Sequence, residues 1–252
     1  MTDVLTEHVA EPLDANGVGD GIELDGRRWS FSGPAVDNFD SHVARSVPGY
    51  EHGHRLILEL SDFFVLPGSR VIDVGCSTGS LIAALAERHR GVDAELLGVD
   101  VSHEMVETAT RRCSAQPRVR IERNDAMTVD YGGASLVILY YTLQFIASWQ
   151  RRDVLQRIYD GIRPGGALIL FEKTLWTSGR MQSLGDQLYT GFKEAQGFSP
   201  SEILRKAQSL RAVLAPACTA ENGAMIAGAG FDGPYTVYKF LAFEGVVAFR
   251  GE

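Results

Sequence analysis

The sequence predicts an α/β fold: a mostly parallel seven-stranded sheet covered by helices on both faces, closed by an antiparallel hairpin and interrupted by an inserted helical pair. Three observations predict it. Short apolar runs alternate with amphipathic helical stretches from Arg70 to Phe171, the rhythm of repeated βαβ units. That rhythm breaks between 178 and 214, where two helical patterns follow each other. Two alternating apolar runs, Tyr235 to Phe240 and Val246 to Phe249, then close the chain.

The elements are read in order. Residues 1–26 are acidic, contain glycine and lack periodicity, so a disordered arm is expected before one domain over 27–252. Ordered structure is expected to begin at Trp29 and Phe31, followed by a polar helix from about Ala35 to Val47 that Pro48-Gly49 ends. Leu56, Ile57, Leu60, Phe63 and Phe64 form an apolar stripe at helical spacing, stopped at Pro67-Gly68. Strands are expected at Arg70–Val74, Ala94–Val99, Val119–Arg123, Leu136–Tyr140 and Ala167–Phe171. Between them lie helices over Leu81–Arg90, from a cap at Ser102 to about Ser114, and over Arg152–Ile162. Ser178 to Gln196 reads as one helix of the inserted pair. Ser199-Pro200-Ser201-Glu202 has capping-box spacing for the second, whose apolar face is Ile203, Ala207, Leu210 and Leu214, with Arg205 and Lys206 projecting elsewhere. Ala220 to Ala227 is a last helix, and Glu244-Gly245 is expected to turn the closing hairpin.

Bulk composition narrows the function. The chain has 252 residues and a net charge of -8, so it gains nothing from the phosphate attraction that dominates nucleic-acid affinity. Three cysteines, Cys76, Cys113 and Cys218, without a C-x-x-C make a disulfide framework or zinc site improbable and fit a reducing cytoplasm. His52 and His54 flank Gly53, but no third ligand has metal spacing; both are expected at the surface, and no metal is expected. No run approaches the roughly 18 apolar residues of a membrane span.

The informative segment is Val71-Ile72-Asp73-Val74-Gly75-Cys76-Ser77-Thr78-Gly79-Ser80, an apolar strand, a glycine turn and a helix start. Gly75 allows the sharp turn, Gly79 is expected to let the helix pack close to the strand, and both are candidate ligand-binding residues. A dinucleotide loop needs a glycine where this chain has Ser77, because backbone must approach the pyrophosphate. The loop therefore suits a nucleoside ligand without phosphate. Asp100, ending the second strand, can accept both ribose hydroxyls, and Asp125, after the third, can accept an adenine amino group. Taken singly, each has a purely structural alternative, a ligand-free turn or a helix-capping Asp. Three at successive strand ends point to a nucleoside.

These residues resemble the class I S-adenosylmethionine-dependent methyltransferases, a Rossmann-like fold with a seven-stranded sheet. The resemblance is closer to the carboxy-S-adenosylmethionine synthases. It is carried by Arg45-Ser46-Val47-Pro48-Gly49-Tyr50, Val74-Gly75-Cys76-Ser77, Thr142-Leu143-Gln144-Phe145, Ile158-Tyr159-Asp160-Gly161, Pro164-Gly165-Gly166-Ala167-Leu168, Glu172-Lys173, and Phe192-Lys193 with Gly197. It implies S-adenosyl-L-methionine as cofactor, held by Tyr50, Gly75, Cys76, Ser77, Asp100, Val101, Asp125 and Ala126. It also implies a homodimer and a reaction with prephenate that yields a carboxymethyl sulfonium. Two positions depart from the family: Tyr140 replaces an Asn that contacts the cofactor, and Ala207 replaces the Arg that pairs with the extra carboxylate. Losing one member of a buried charge pair costs roughly 3–5 kcal/mol.

Tyr140 and Tyr141 lie at the mouth of the fourth strand. Strand alternation sends one of them to the other face, and Tyr140 is taken as the site member, with a face that stabilises a cation by roughly 0.5–2 kcal/mol. Trp176 is a candidate roof of the pocket and Gln144 a candidate substrate contact. Glu172 and Lys173 are expected to pair, and Cys76 fills the loop by its small size. The expected activity is methyl transfer to a small metabolite in specialised biosynthesis. Alternatives are cyclisation of the cofactor to azetidine-2-carboxylate and methylthioadenosine, the carboxy-transfer reaction, and cofactor binding without catalysis.

Overall fold

The computed structural model describes residues 17–20, 22, 29–31 and 33–251. Seven strands form one sheet: β1 (Ser69–Val74), β2 (Ala94–Asp100), β3 (Val119–Arg123), β4 (Ala134–Tyr140), β5 (Ile162–Lys173), β6 (Asp232–Phe240) and β7 (Phe243–Phe249). Their spatial order is β3-β2-β1-β4-β5-β7-β6. β1 to β5 pair in parallel, and β7 runs antiparallel between β5 and β6. The sheet order reverses between β1 and β4, and the crevice outside the carboxyl ends of such strands is where open α/β sheets bind ligands.

Nine helices accompany the sheet among the described residues: α1 (Pro34–Asp37), α2 (Phe39–Ser46), α3 (Tyr50–Ser61), α4 (Ser80–Arg88), α5 (His103–Arg112), α6 (Arg151–Gly161), α7 (Gly179–Ala195), α8 (Pro200–Ser209) and α9 (Thr219–Gly228). A 3₁₀ turn, Leu143–Phe145, follows β4. β4 is buried along its whole length, which is why it reads as a continuous apolar run rather than an alternation. Val137 and Leu139 face a core with α6 and α9, whereas Leu136, Ile138 and Tyr140 face a core with α3 and α4. Each such side chain contributes roughly 1.5–3 kcal/mol on burial. Ser102 caps α5 by accepting from Met105 N, and Ser199 with Glu202 forms the capping box of α8. The inserted pair is thus α7 and α8.

Several expectations are corrected. The helix expected over 35–47 is two, because Asn38 breaks it between α1 and α2. The closing turn falls at Leu241-Ala242, with Leu241 at φ 50, while Glu244 and Gly245 lie inside β7 paired with Glu172 and Phe171. Most of the expected disordered arm lies outside the described residues. Within it, however, Val18 and Ile22 are buried with Trp29, and Asp20 pairs with His42 and Arg45.

Candidate functional site

A cavity of about 610 Å³ runs along the carboxyl ends of β1 to β5, roofed by α2, α3, α7 and α8. Its floor begins at the loop after β1, where Gly75, Ser77 and Gly79 have φ of 76, 52 and 78. This succession of left-handed residues makes the turn tight, which is affordable for glycine and strained for Ser77. A Cβ on Gly75 would stand 2.4 Å from Thr142 Oγ1, so the loop lies flat against the end of β4. Gly79 is not in the cavity wall: it lets α4 approach α5, where a Cβ would meet Ala109 at 2.9 Å, rather than pack on the strand as expected.

Asp100 fixes the loop to β2. Its carboxylate accepts from Ser77 N and from Ser102 N, each at 2.9 Å. Each oxygen therefore retains a lone pair for a ribose hydroxyl. Burial raises its pKa while these backbone donors oppose the shift. Asp125 stands exposed at the rim with one oxygen accepting from Met127 N at 2.8 Å. Val101 and Ala126 line the same end, as does Cys76, whose thiol burial pushes up and keeps inert. Asp73, not singled out in the sequence, is fully buried in the floor. Its Oδ2 has no hydrogen-bond partner among the described residues, and burial with the nearby Asp100 charge raises its pKa to about 7.

The wall above β4 is aromatic. Tyr50, at the start of α3, has its ring centroid 4.9 Å from that of Tyr140 and 6.2 Å from that of Tyr141. Both Tyr140 and Tyr141 line the cavity, and Tyr141 was not expected there. Alternation fails because Tyr141 has φ 60, which turns the chain at the strand end and keeps both rings on one face. The Tyr140 hydroxyl donates to the Tyr50 carbonyl and packs on Gly53, where a Cβ would stand 2.5 Å away. Tyr140 therefore offers its ring, with the hydroxyl committed to α3. His54 is also corrected: it lines the cavity beside Tyr50 and Tyr140, and burial lowers its pKa to about 4, so it is neutral. His52 is exposed.

Gln144 is buried in the wall, but its amide is spent on structure: Nε2 donates to Tyr141 O at 3.2 Å and Oε1 accepts from Lys173 N at 3.0 Å. Trp176 is not in the cavity wall. It packs under α7, where a Cβ on Gly185 would meet its Nε1 at 2.6 Å. Glu172 and Lys173 do not pair, since neighbours on a strand point to opposite faces. Glu172 is held against the 3₁₀ turn by the Leu143 and Gln144 amides, and Lys173 enters the cavity.

Three lysines line the cavity. Lys173 Nζ and Lys193 Nζ lie 4.7 and 4.3 Å from the centroid of one ring, Tyr189 of α7. Lys206 of α8 sits on the Trp29 ring, beside Ala207 in the cavity wall. The expectation that Lys206 projects elsewhere fails on helical spacing: it lies three residues from Ile203 and four from Leu210, hence on the same face. Burial lowers all three pKa values, Lys193 to about 8.

Known proteins share this plan. A methyltransferase-domain model matches residues 71–166. The chain is 32% identical over 225 residues to the carboxy-S-adenosyl-L-methionine synthase of Shewanella piezotolerans, covering 88% of this chain and 93% of that one. The same enzyme of Campylobacter lari is also 32% identical over 225 residues, at 89% and 95% coverage. The chain belongs to the carboxy-S-adenosyl-L-methionine synthase family. Among solved structures, human N-acetylserotonin methyltransferase in complex with S-adenosylmethionine superposes with a TM-score of 0.54 at 20% identity, covering 90% of this chain and 64% of that one. A Haloferax volcanii methyltransferase in complex with its Trm112 activator gives 0.63 at 15%, covering 89% and 99%. Both show the fold alone. As a member of this synthase family the chain is an S-adenosylmethionine-dependent transferase. The residues fit that cofactor: Asp100 presents free lone pairs in a phosphate-free loop, and Asp73 presents an unpartnered buried oxygen.

The hexapeptide before β1 has a structural role here. Arg45 pairs with Asp20 and donates from Nε to Gln196 O at 3.1 Å, at the end of α7. The Tyr189 hydroxyl donates to Ser46 O at 2.8 Å. The motif thus docks the inserted helix over the cavity while placing Tyr50 inside it.

Proposed function

We propose that the chain transfers a one-carbon unit between S-adenosylmethionine and a small molecule, with methyl transfer to a small metabolite as the reaction. The supporting observation is the cavity's layout. Nucleoside acids stand at β2 and β3, an aromatic wall of Tyr50, Tyr140 and Tyr141 at β4, and further space at β5, α7 and α8. The nucleoside is held by Asp100 and Asp125, and Tyr50, Tyr140 and Tyr141 turn ring faces toward the sulfonium, a cation such faces stabilise. A nucleophile in the remaining space is then brought to the methyl group by proximity and exclusion of water. The neutral His54 adds no charge that would repel the sulfonium.

Carboxy transfer is the second reading. Its support is the kinship with carboxy-S-adenosyl-L-methionine synthases together with Lys206, which stands beside Ala207 where the resemblance expects an Arg. The proposal includes a single domain over 27–252 and a homodimer built on the exposed Met181, Leu184 and Leu188 of α7. The test is to incubate the purified protein with S-adenosylmethionine, alone, with prephenate, and with a cell extract of small metabolites, and to read products by mass spectrometry. S-adenosylhomocysteine with a methylated metabolite is expected. A carboxylated sulfonium formed only with prephenate would establish the second reading. Methylthioadenosine formed with an equal amount of azetidine-2-carboxylate and no second substrate would contradict both and establish cyclisation.

A further inference from the structure

A second cavity, of about 210 Å³, lies between α9 and strands β5, β6 and β7. Strand alternation puts it across the sheet from the cofactor cavity: Lys173 enters that one, so its neighbour Glu172 points to the α9 face. Glu172 and Glu244 are direct partners in the antiparallel β5–β7 ladder. Such partners share a face, with Cβ atoms roughly 4.5–5.5 Å apart, and like charges placed so are destabilising. Both carboxylates line the cavity and are buried, 3% and 7% exposed.

Glu244 is supplied with donors. Thr219 and Thr236 donate to its two oxygens at 2.8 and 3.4 Å, and Lys239 pairs with it at 3.4 Å. Glu172 is not. The Leu143 and Gln144 amides hold it from the 3₁₀ turn, but its Oε1 has no hydrogen-bond partner among the described residues. Arg151, whose charge acts on Glu172, donates to the carbonyls of Gln144, Ile146 and Ala215. A buried carboxylate oxygen without a donor is costly, and this one borders a space large enough for a ligand.

We propose that this cavity is a second binding site, for a small organic cation: an ammonium or guanidinium head between Glu172 and Glu244, and a short apolar body against Leu170, Pro234 and Val246. A cationic head supplies the missing donor and the positive charge that two facing carboxylates lack. The walls favour an organic cation over a metal ion. The space is several times the roughly 30 Å³ share of one water, and Leu170, Pro234 and Val246 offer an ion no oxygen from their side chains. No group of three or more His, Cys, Asp or Glu that could hold a metal occurs among the described residues.

NMR titration of the nitrogen-labelled full chain tests it at constant ionic strength. The probes are n-propylammonium, n-propylguanidinium, the neutral propan-1-ol and calcium chloride. At least one organic cation is expected to saturate, with amide shifts centred on Thr219 and Gly223, and to bind tenfold or more tightly than propan-1-ol or calcium; which one does so distinguishes the two heads. Glu172→Gln and Glu244→Gln are each expected to weaken it tenfold or more in a chain that circular dichroism shows folded. Should either fail to fold, Gly223→Leu serves in its place. A Cβ there would stand no closer than 3.7 Å to Pro234, so the larger side chain fills the cavity and should abolish binding. Saturation by neither organic cation, equal binding of propan-1-ol, tighter binding of calcium, or folded variants that bind the cation like the parent chain would overturn the proposal.

Discussion

Asp73 carries a pH signature. Its pKa rises from its ordinary value of 3.8 to about 7 on folding, first through burial and then through Asp100. The native state therefore holds this proton more firmly than the unfolded chain, and the stabilisation it gives is present below pH 4 and lost as pH rises through 7. Asp73→Asn should raise the melting temperature at pH 8 and leave it unchanged at pH 3.5. Each kcal/mol recovered is worth roughly 2–4 °C in a domain of this size. The sequence made Asp100 and Asp125 legible because strand ends mark their positions. It hid Tyr141, since one left-handed residue cancels the alternation on which the choice between two tyrosines rested. Lys206 is less legible, because beside an apolar stripe centred on Ala207 it reads as projecting elsewhere, although its spacing from Ile203 and Leu210 puts it on the inner face.

At the scale of elements, α3 and β4 are joined through Tyr140. Its hydroxyl bonds to the carbonyl of Tyr50 in the first turn of α3, and its ring needs the space that Gly53 leaves. Gly53→Ala puts a Cβ 2.5 Å from that hydroxyl and 3.2 Å from Phe171, which should cost about 1–3 kcal/mol by overpacking. Tyr140→Phe should cost about 0.5–1.5 kcal/mol, the net worth of one hydrogen bond. The double variant should be less destabilised than the sum, a coupling that urea unfolding measures. Helix limits were readable where capping chemistry stands in the sequence, as at Ser102, Ser178 and Ser199. The closing turn was misplaced because Glu244-Gly245 has turn composition, whereas tertiary pairing with Glu172 and Phe171 draws both residues into β7.

At the scale of the whole molecule, a parallel sheet, an antiparallel closing pair and an inserted helical pair follow from the order of apolar runs alone. How the inserted helices close over the sheet does not, because it depends on distant contacts such as Arg45 to Gln196 and Tyr189 to Ser46. The exposed stripe of Met181, Leu184 and Leu188 on α7 is the face expected to pair two copies. Light scattering should give twice the chain mass, and Leu184→Asp with Leu188→Asp should give a monomer. The account as a whole stands on cofactor binding at Asp100, which calorimetric titration with S-adenosylmethionine tests most directly. One equivalent should bind the parent chain. Asp100→Ala removes two hydrogen bonds to a charged acceptor, worth about 1.5–3 kcal/mol each, and should lower affinity by a factor on the order of 100 or more. Undiminished affinity in a folded Asp100→Ala variant would contradict the account.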